Sequence, residues 1–549
     1  MLTDESRRAV IRTLRTCPVV DEIQQWLNRR PGRRCSISVE AALFAIIVAA
    51  ALGYGTAGRI DKATGILRDQ TDTDNPLGLP DHLVGYIQQH PKDQHPGARR
   101  RFYRRLRRTL KAIGRWAQHK QPDGQSNLDR LTHTLLLASV PVHVRNYNSY
   151  TLDSAGTRAS HTHHRAKNNP DLPDHLNQAD WRVRTYTNDD GTSTDKLLYG
   201  YGLHILGRCD PTNNDPTLWL AHITLTKGST SETNVALDML TTEAKTNPIF
   251  NLLIADRGYT QSPRIHHTMH DHHGDVIQDL KAAQDRPYRT KSGIWAIGGG
   301  AYDPATPPNT RTYPRRTINQ PLNDYLNDRE NSLGPFLLKH HTPPDIHGVH
   351  RYQGNCVRQG ADCPLQPIHA RKGGPTYLTP PGDGHNLALC QGRTIQLSRE
   401  DYDIPTHDGT GTIPTYQPIP YGTHEHAAIY HPWRNRTEGA LSDLTEHRGM
   451  WGGRHGFKVR RVELIQLFAL AAAVAHNLRR QGHFPPEHGT DNLRNDTVLI
   501  LTDTHRTNLQ RILNHRHRIR TLFNPATCPH HTHPTPTSPL TVGGTDPPV

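Results

Sequence analysis

Asn251-Leu-Leu-Ile-Ala-Asp256-Arg-Gly258-Tyr259 is the stretch on which the fold turns. Its short apolar run has the length of a buried strand, and the Arg-Gly-Tyr that follows reads as a turn. The run therefore ends on an acid. Upstream, Asn146-Tyr-Asn-Ser-Tyr-Thr-Leu-Asp153 ends in the same way, before Ser-Ala-Gly156-Thr. Between the two lie strand-like segments at residues 197–206 and 218–226, then a helical stretch over 232–245 opened by Ser231. Three strands, a helix and a fourth strand ending in an acid predict an α/β class.

At the carboxyl ends of neighbouring strands in an open α/β sheet, side chains share one crevice. Asp153 and Asp256 are expected to converge there, where two carboxylates repel unless a divalent cation lies between them. Either aspartate alone reads equally well as a turn cap. The pair, with Gly156 and Gly258 leaving room for a bulky partner, favours a site. A third acid comes from Tyr430-His-Pro432-Trp-Arg434-Asn-Arg-Thr-Glu438. Tyr430, Arg434 and Glu438 stand four apart, drift only about 40° per step and share one helical face. That helix is expected over residues 431–446, with Pro432 in its first turn. In isolation Arg434 and Glu438 would be an ordinary exposed ion pair.

The chain has 549 residues, enough for two to four domains. Mean hydropathy is −0.72, so the surface is large and polar. Arg and Lys outnumber acids by 65 to 51, a net charge of +14, which favours polyanion partners. Residues 10–27, 39–52 and 99–116 read as helices. The last carries nine Arg or Lys between positions 99 and 115 and no acid. Phe102, Leu106, Leu110 and Ile113 make an apolar stripe on it. Its arginines, Arg104, Arg105 and Arg108 among them, have no internal counter-ion at helical spacing and are assigned to nucleic-acid phosphate. The N-terminus lacks the succession of a signal peptide. Residues 41–53 are too short for a bilayer span of ~20 residues. With seven scattered cysteines these features predict a cytoplasmic, nucleoid-associated protein with no membrane partner.

The series Tyr150-Thr-Leu-Asp153-Ser, Leu252-Leu-Ile-Ala-Asp256-Arg-Gly-Tyr259 and Tyr430-x3-Arg434-x3-Glu438, with Asn477-Leu478 beyond, resembles the DDE transposases of bacterial insertion sequences. The likeness is to the group with a Tyr-Arg-Glu helix signature and covers about residues 147–290 and 425–480. Two departures stand out. Three residues separate Tyr430 from Arg434 where relatives often have two, and Thr445 stands where they often have lysine, with His447 and Arg448 nearby.

The resemblance implies an RNase H-like catalytic core from residues 147–295 and 426–482, following a helical N-terminal DNA-binding region over 1–125. A β-rich insertion, 296–425, separates the second and third acids, and 483–549 form an extension whose Pro- and Thr-rich tail reads as disordered. It implies that Asp153, Asp256 and Glu438 are catalytic and hold two Mg²⁺ ions, with Mn²⁺ able to substitute. They would serve in-line displacement at phosphorus, for strand cleavage and strand transfer alike. Tyr430 and Arg434 would contact DNA beside the cut, and Arg454, in the basic loop 448–461, would lie along the duplex. The implied partners are double-stranded DNA, as element terminal inverted repeats and target, and a second copy of the chain in a homodimer. Two alternatives stay open: a metal-dependent DNA nuclease on the same core, and an inactive DNA-binding relative, which would need none of the three acids.

Other motifs carry less. Cys356, Cys363 and Cys390, with His369 or His385, offer zinc ligands at spacings that fit no standard finger, so zinc remains an open alternative. His266 and His270 have i,i+4 ligand spacing without the adjacent Glu of a metalloprotease motif. Gly298 to Gly300 lack the Lys-Ser partner of a phosphate loop.

Overall fold

The structure, a computed structural model, describes residues 2–29, 35–53, 60–69, 75–79, 84, 96–122, 124–158, 179–187, 193–213, 217–256, 258–259, 262–280, 284–290, 293–303, 306–314, 316–317, 319–342, 349–353, 394–405, 412–447, 450, 462–484 and 501–522. It is a mixed α/β protein around a sheet with both parallel and antiparallel strands.

Helices come first. α1 (Asp4–Thr16) is capped by Thr3, whose hydroxyl accepts from the Ser6 N–H. α2 (Pro18–Arg29) starts at once, because Pro18 has no N–H to extend α1 and forces Cys17 into extended backbone. The single periodic run over 10–27 is therefore two helices. α3 (Val39–Ala51), capped by Ser38, is apolar all round and buried on every side. α4 (Ile60–Asp69), α5 (Pro96–Ala117) and α6 (Asn127–Ala138) complete the set.

The central sheet follows. Its strands are β1 (Ser149–Arg158), β2 (Asp180–Thr187), β3 (Ser193–Cys209), β4 (Trp219–Lys227), β5 (Leu252–Ala255) and β6 (Asp275–Gln278). β1 pairs antiparallel with β3 and parallel with β5, and β5 pairs parallel with β6. β4 and β2 both pair antiparallel with β3, β2 along its first residues and β4 along its second half. β2 and β6 are strands that the sequence reading did not anticipate. α7 (Glu232–Ala244) and α8 (Pro263–Asp271) link β4 to β5 and β5 to β6.

Side chains alternate across a sheet, and the alternation sorts this core. Tyr150, Leu152, Leu253, Ala255 and Val276 join α7 and α8 in one buried cluster. Leu203, Ile205, Leu252, Ile254 and Ile277 face the other way, into a larger cluster shared with α1 to α6. Two later helices, α10 (His424–Ser442) and α11 (Val462–Arg480), cover that second face. α11 is long and apolar enough to cross a membrane by length and composition, but 83% of its most apolar window is buried inside this core.

Between β6 and α10 the chain forms small sheets: β7 (Tyr288–Arg289), β8 (Trp295–Ile297) and β9 (Gly300–Tyr302), then β10 (Lys339–Thr342), β11 (His350–Gln353) and β12 (Thr394–Leu397), and the pair β13 (Ile404–Pro405) and β14 (Thr412–Ile413). A twelve-residue helix, α9 (Leu322–Leu333), also lies in this region, which the sequence reads as strands and loops alone. Gly298 and Gly299, both at positive φ, are the two-residue turn of the β8–β9 hairpin. A last helix, α12, spans Asp503–Leu522. The tail beyond it, Arg454, and Cys356, Cys363, Cys390, His369 and His385 lie outside the described residues.

Candidate active site

The parallel register places the acids. Leu152 stands opposite Ala255, and Ala255 opposite Gln278, so the next residues along, Asp153, Asp256 and Asp279, form a row across β1, β5 and β6. Neighbouring strands are about 4.8 Å apart, which sets the pitch of the row. Asp153 shares its parity with Thr151, and Asp256 and Asp279 share theirs with Ile254 and Ile277, so all three belong to the α10 face. One expectation needs correcting. β1 does not end at Asp153 but runs on to Arg158, because β3 keeps pairing with it. What ends there is its pairing with β5, and the loss of that one neighbour opens the crevice.

α10 crosses this edge. Its N-terminus is held at β6, where the His426 Nε2 lies 3.0 Å from the Gln278 carbonyl and 3.2 Å from Gln417 Oε1. The helix starts at His424, capped by Thr423, and not at 431; Pro432 is therefore interior, where it forfeits one helical hydrogen bond. One and two turns beyond His426 come Tyr430 and Arg434, and a third turn brings Glu438.

The guanidinium of Arg434 is the hub. Nη1 is 2.7 Å from Asp153 Oδ2, while Nη2 is 3.2 Å from Asp256 Oδ2 and 2.9 Å from Glu438 Oε1. The Asp153 contact is the shortest of the three ion pairs. The guanidinium fork is about 2 Å wide, so the two aspartate oxygens lie within roughly 8 Å of each other, close enough for ions ~4 Å apart. The Asp153 side chain is 8% exposed, Asp256 33% and Glu438 55%, so the site is closed at its floor and open at its rim. Burial pushes the Asp153 carboxyl up to about 6, although Arg434 and the Ser154 N–H, 2.7 Å from Oδ1, pull the other way. Burial opposes the charge on Arg434 too, yet Asp153, Asp256 and Glu438 outweigh it and hold the guanidinium more firmly cationic than usual. At neutral pH the pair is thus ionised on both sides.

The donor set fits a hard divalent cation: three carboxylates from three separate segments, gathered round a positive charge. Among the described residues no three His, Cys, Asp or Glu side chains form a ready metal cage; the three carboxylates lie against the Arg434 guanidinium.

Other predicted residues fall as follows. Tyr430 is buried and stacked on His426, with ring centroids 5.6 Å apart, so it presents no open ring face to a duplex. Burial raises its hydroxyl pKa, with Asp279 and Asp256 adding to the effect. Thr445 is buried and its hydroxyl bonds back to the Leu441 carbonyl. Gly258 leaves room for Glu232: a Cβ there would sit 3.3 Å from Glu232 Oε2. Arg104 and Arg108 of α5 are exposed and Arg105 half-buried, while Phe102, Leu106, Leu110 and Ile113 are buried. A cavity lined by His266, His267, His270, Arg399 and Glu400 lies at the start of β6, the opposite end from Asp279.

Asp279 is the residue that sequence reasoning missed. Its signal was Asp275-Val-Ile-Gln-Asp279, a Val-Ile pair between polar residues with an acid at its end. Compared with protein-family models, curated proteins and solved structures, the chain matches none.

Proposed function

We propose that the chain is a transposase of the DDE type, with an RNase H-like core, that binds the ends of a DNA element and catalyses metal-dependent strand cleavage and strand transfer. The observation that carries this reading is the meeting of Asp153, Asp256 and Glu438, from three distant segments, at one guanidinium on an open sheet edge. The mixed sheet, with β1 between an antiparallel and a parallel neighbour, is compatible with such a core.

Asp153, Asp256 and Glu438 are the residues to hold Mg²⁺, or Mn²⁺ in its place. Divalent ions bound there would supply the Lewis acidity that activates an attacking oxygen and stabilises a leaving one in phosphoryl transfer. The protein's own groups do the rest. Asp153 forms the fixed floor, with the Ser154 N–H bonded to Oδ1. Asp256 and Glu438 form the exposed rim that a duplex meets first. The acid-free arginine face of α5 supplies sequence-independent attraction to phosphate. Pairing of two element ends calls for a homodimer, with the nucleoid as its place of work.

The test is nicking of DNA that carries the element's own ends, by purified protein with Mn²⁺. Asp256→Ala should abolish nicking and leave DNA binding intact; cleavage undiminished in that variant would sink the assignment. Joining of the cut end to a second DNA separates transposase from nuclease.

A further inference from the structure

Three carboxylates that converge without a cation repel one another, and Asp153, Asp256 and Glu438 should splay. Here they do not, because Arg434 touches all three at 2.7 to 3.2 Å. We infer that Arg434 is an internal stand-in for the divalent cation, holding the carboxylates together in the metal-free protein and leaving them when the ion arrives. The inference rests on the reading of the three acids as metal ligands.

Several observations support an exchange of cations. The carboxylates are arranged on a planar fork and not as a metal cage, so they must shift to take an ion. A divalent ion among them would neutralise the charge that holds Arg434 and would repel the guanidinium at close range. The rim gives the side chain somewhere to go: Glu438, one turn along the same helix, is more than half exposed. Once displaced, the guanidinium keeps five donors in a geometry that matches phosphate. Arg434 would then serve the acids before loading and the DNA backbone after it. Because the ion must compete with an internal cation, the native site should bind metal more weakly than its three carboxylates alone would.

Mn²⁺ binding to the full-length protein without DNA, followed by the paramagnetic resonance signal of free Mn²⁺, tests this directly. Arg434→Gln keeps a polar side chain but loses the charge and the guanidinium fork, and should bind Mn²⁺ at least tenfold more tightly than the natural protein. Arg434→Lys keeps the charge but not the fork, and should fall between the two. Equal or weaker binding by Arg434→Gln, folded by circular dichroism, overturns the inference while the metal-site reading stands. If Arg434→Gln does not fold, an affinity of Arg434→Lys no higher than the natural protein's overturns it equally. Should none of the three proteins bind Mn²⁺ at millimolar concentration, the reading of the carboxylates as ligands fails and the inference falls with it.

Discussion

At the residue scale, two buried helical groups test how the core carries charge. Glu243 is fully buried beside the Arg208 guanidinium, with the Tyr150 hydroxyl donating to it at 3.0 Å and His133 Nδ1 3.3 Å away. Burial alone would raise its carboxyl, but His133 and Arg208 prevail and hold it down at about 2. Glu243→Gln would leave the Arg208 charge buried and unanswered, at a cost of about 3–5 kcal/mol. Urea unfolding should register that loss, and adding Arg208→Met should recover most of it; a single variant as stable as the natural protein would refute the estimate. His426 works through protons. Burial, chiefly, and His431 push its pKa down to about 3, below the ordinary value of 6.5. The folded state therefore excludes a proton that the unfolded chain accepts. The stability it contributes is complete above pH 6.5 and is lost as pH falls toward 3. His426→Gln should flatten the dependence of unfolding free energy on pH between 6 and 4 by about 1.4 kcal/mol per unit. Equal slopes for the two proteins would show that His426 is not kept neutral.

At the element scale, what was legible in the sequence depended on whether one local signal decided the outcome. The strand before Asp256 and the arginine-rich α5 were legible, because an apolar run and an i, i+4 stripe each state their own period. β1 was read too short, since its length beyond Asp153 comes from pairing with β3, a partner 40 and more residues away. Pro432 misled for the opposite reason. A proline near Tyr430 looked like a first turn, yet the Thr423 cap and the buried face from His426 to Trp433 carry the helix through it. Asp279 escaped because β6 is only four residues long and its meaning lies in register, not in composition. α5 also yields a prediction. Its stability resides in the buried Leu106, Leu110 and Ile113, and its charge in exposed arginines. Arg104→Gln with Arg108→Gln should leave the thermal midpoint nearly unchanged. It should lower the slope of log binding constant against log salt by about 2 on duplex DNA. An unaltered slope would remove α5 from the interface.

At the scale of the whole molecule, segments more than 400 positions apart meet in one core. α3 is apolar on every side, so no single neighbour can bury it. α11, more than 400 positions later, supplies the missing cover, and the inner face of the sheet lies in the same buried cluster. Polar ties reinforce the seam: the Asn477 side chain accepts from the Leu220 N–H at 2.8 Å and donates to the Leu220 carbonyl at 2.9 Å, and its amide also reaches Ser139. The helices before residue 125 and the inner face of the sheet thus share one buried cluster. Units of opening follow buried contacts, so α3, α11 and β3 should open together. Native-state hydrogen exchange measures this. The slowest amides of α3 and α11 should report one opening free energy, equal to that of global unfolding, and should fall together in Leu470→Ala, a fully covered side chain whose truncation costs about 2–5 kcal/mol. Exchange in α3 that is markedly faster than in β3, and insensitive to Leu470→Ala, would mean that the N-terminal helices form a unit of their own, free to move against the carboxylate-bearing sheet.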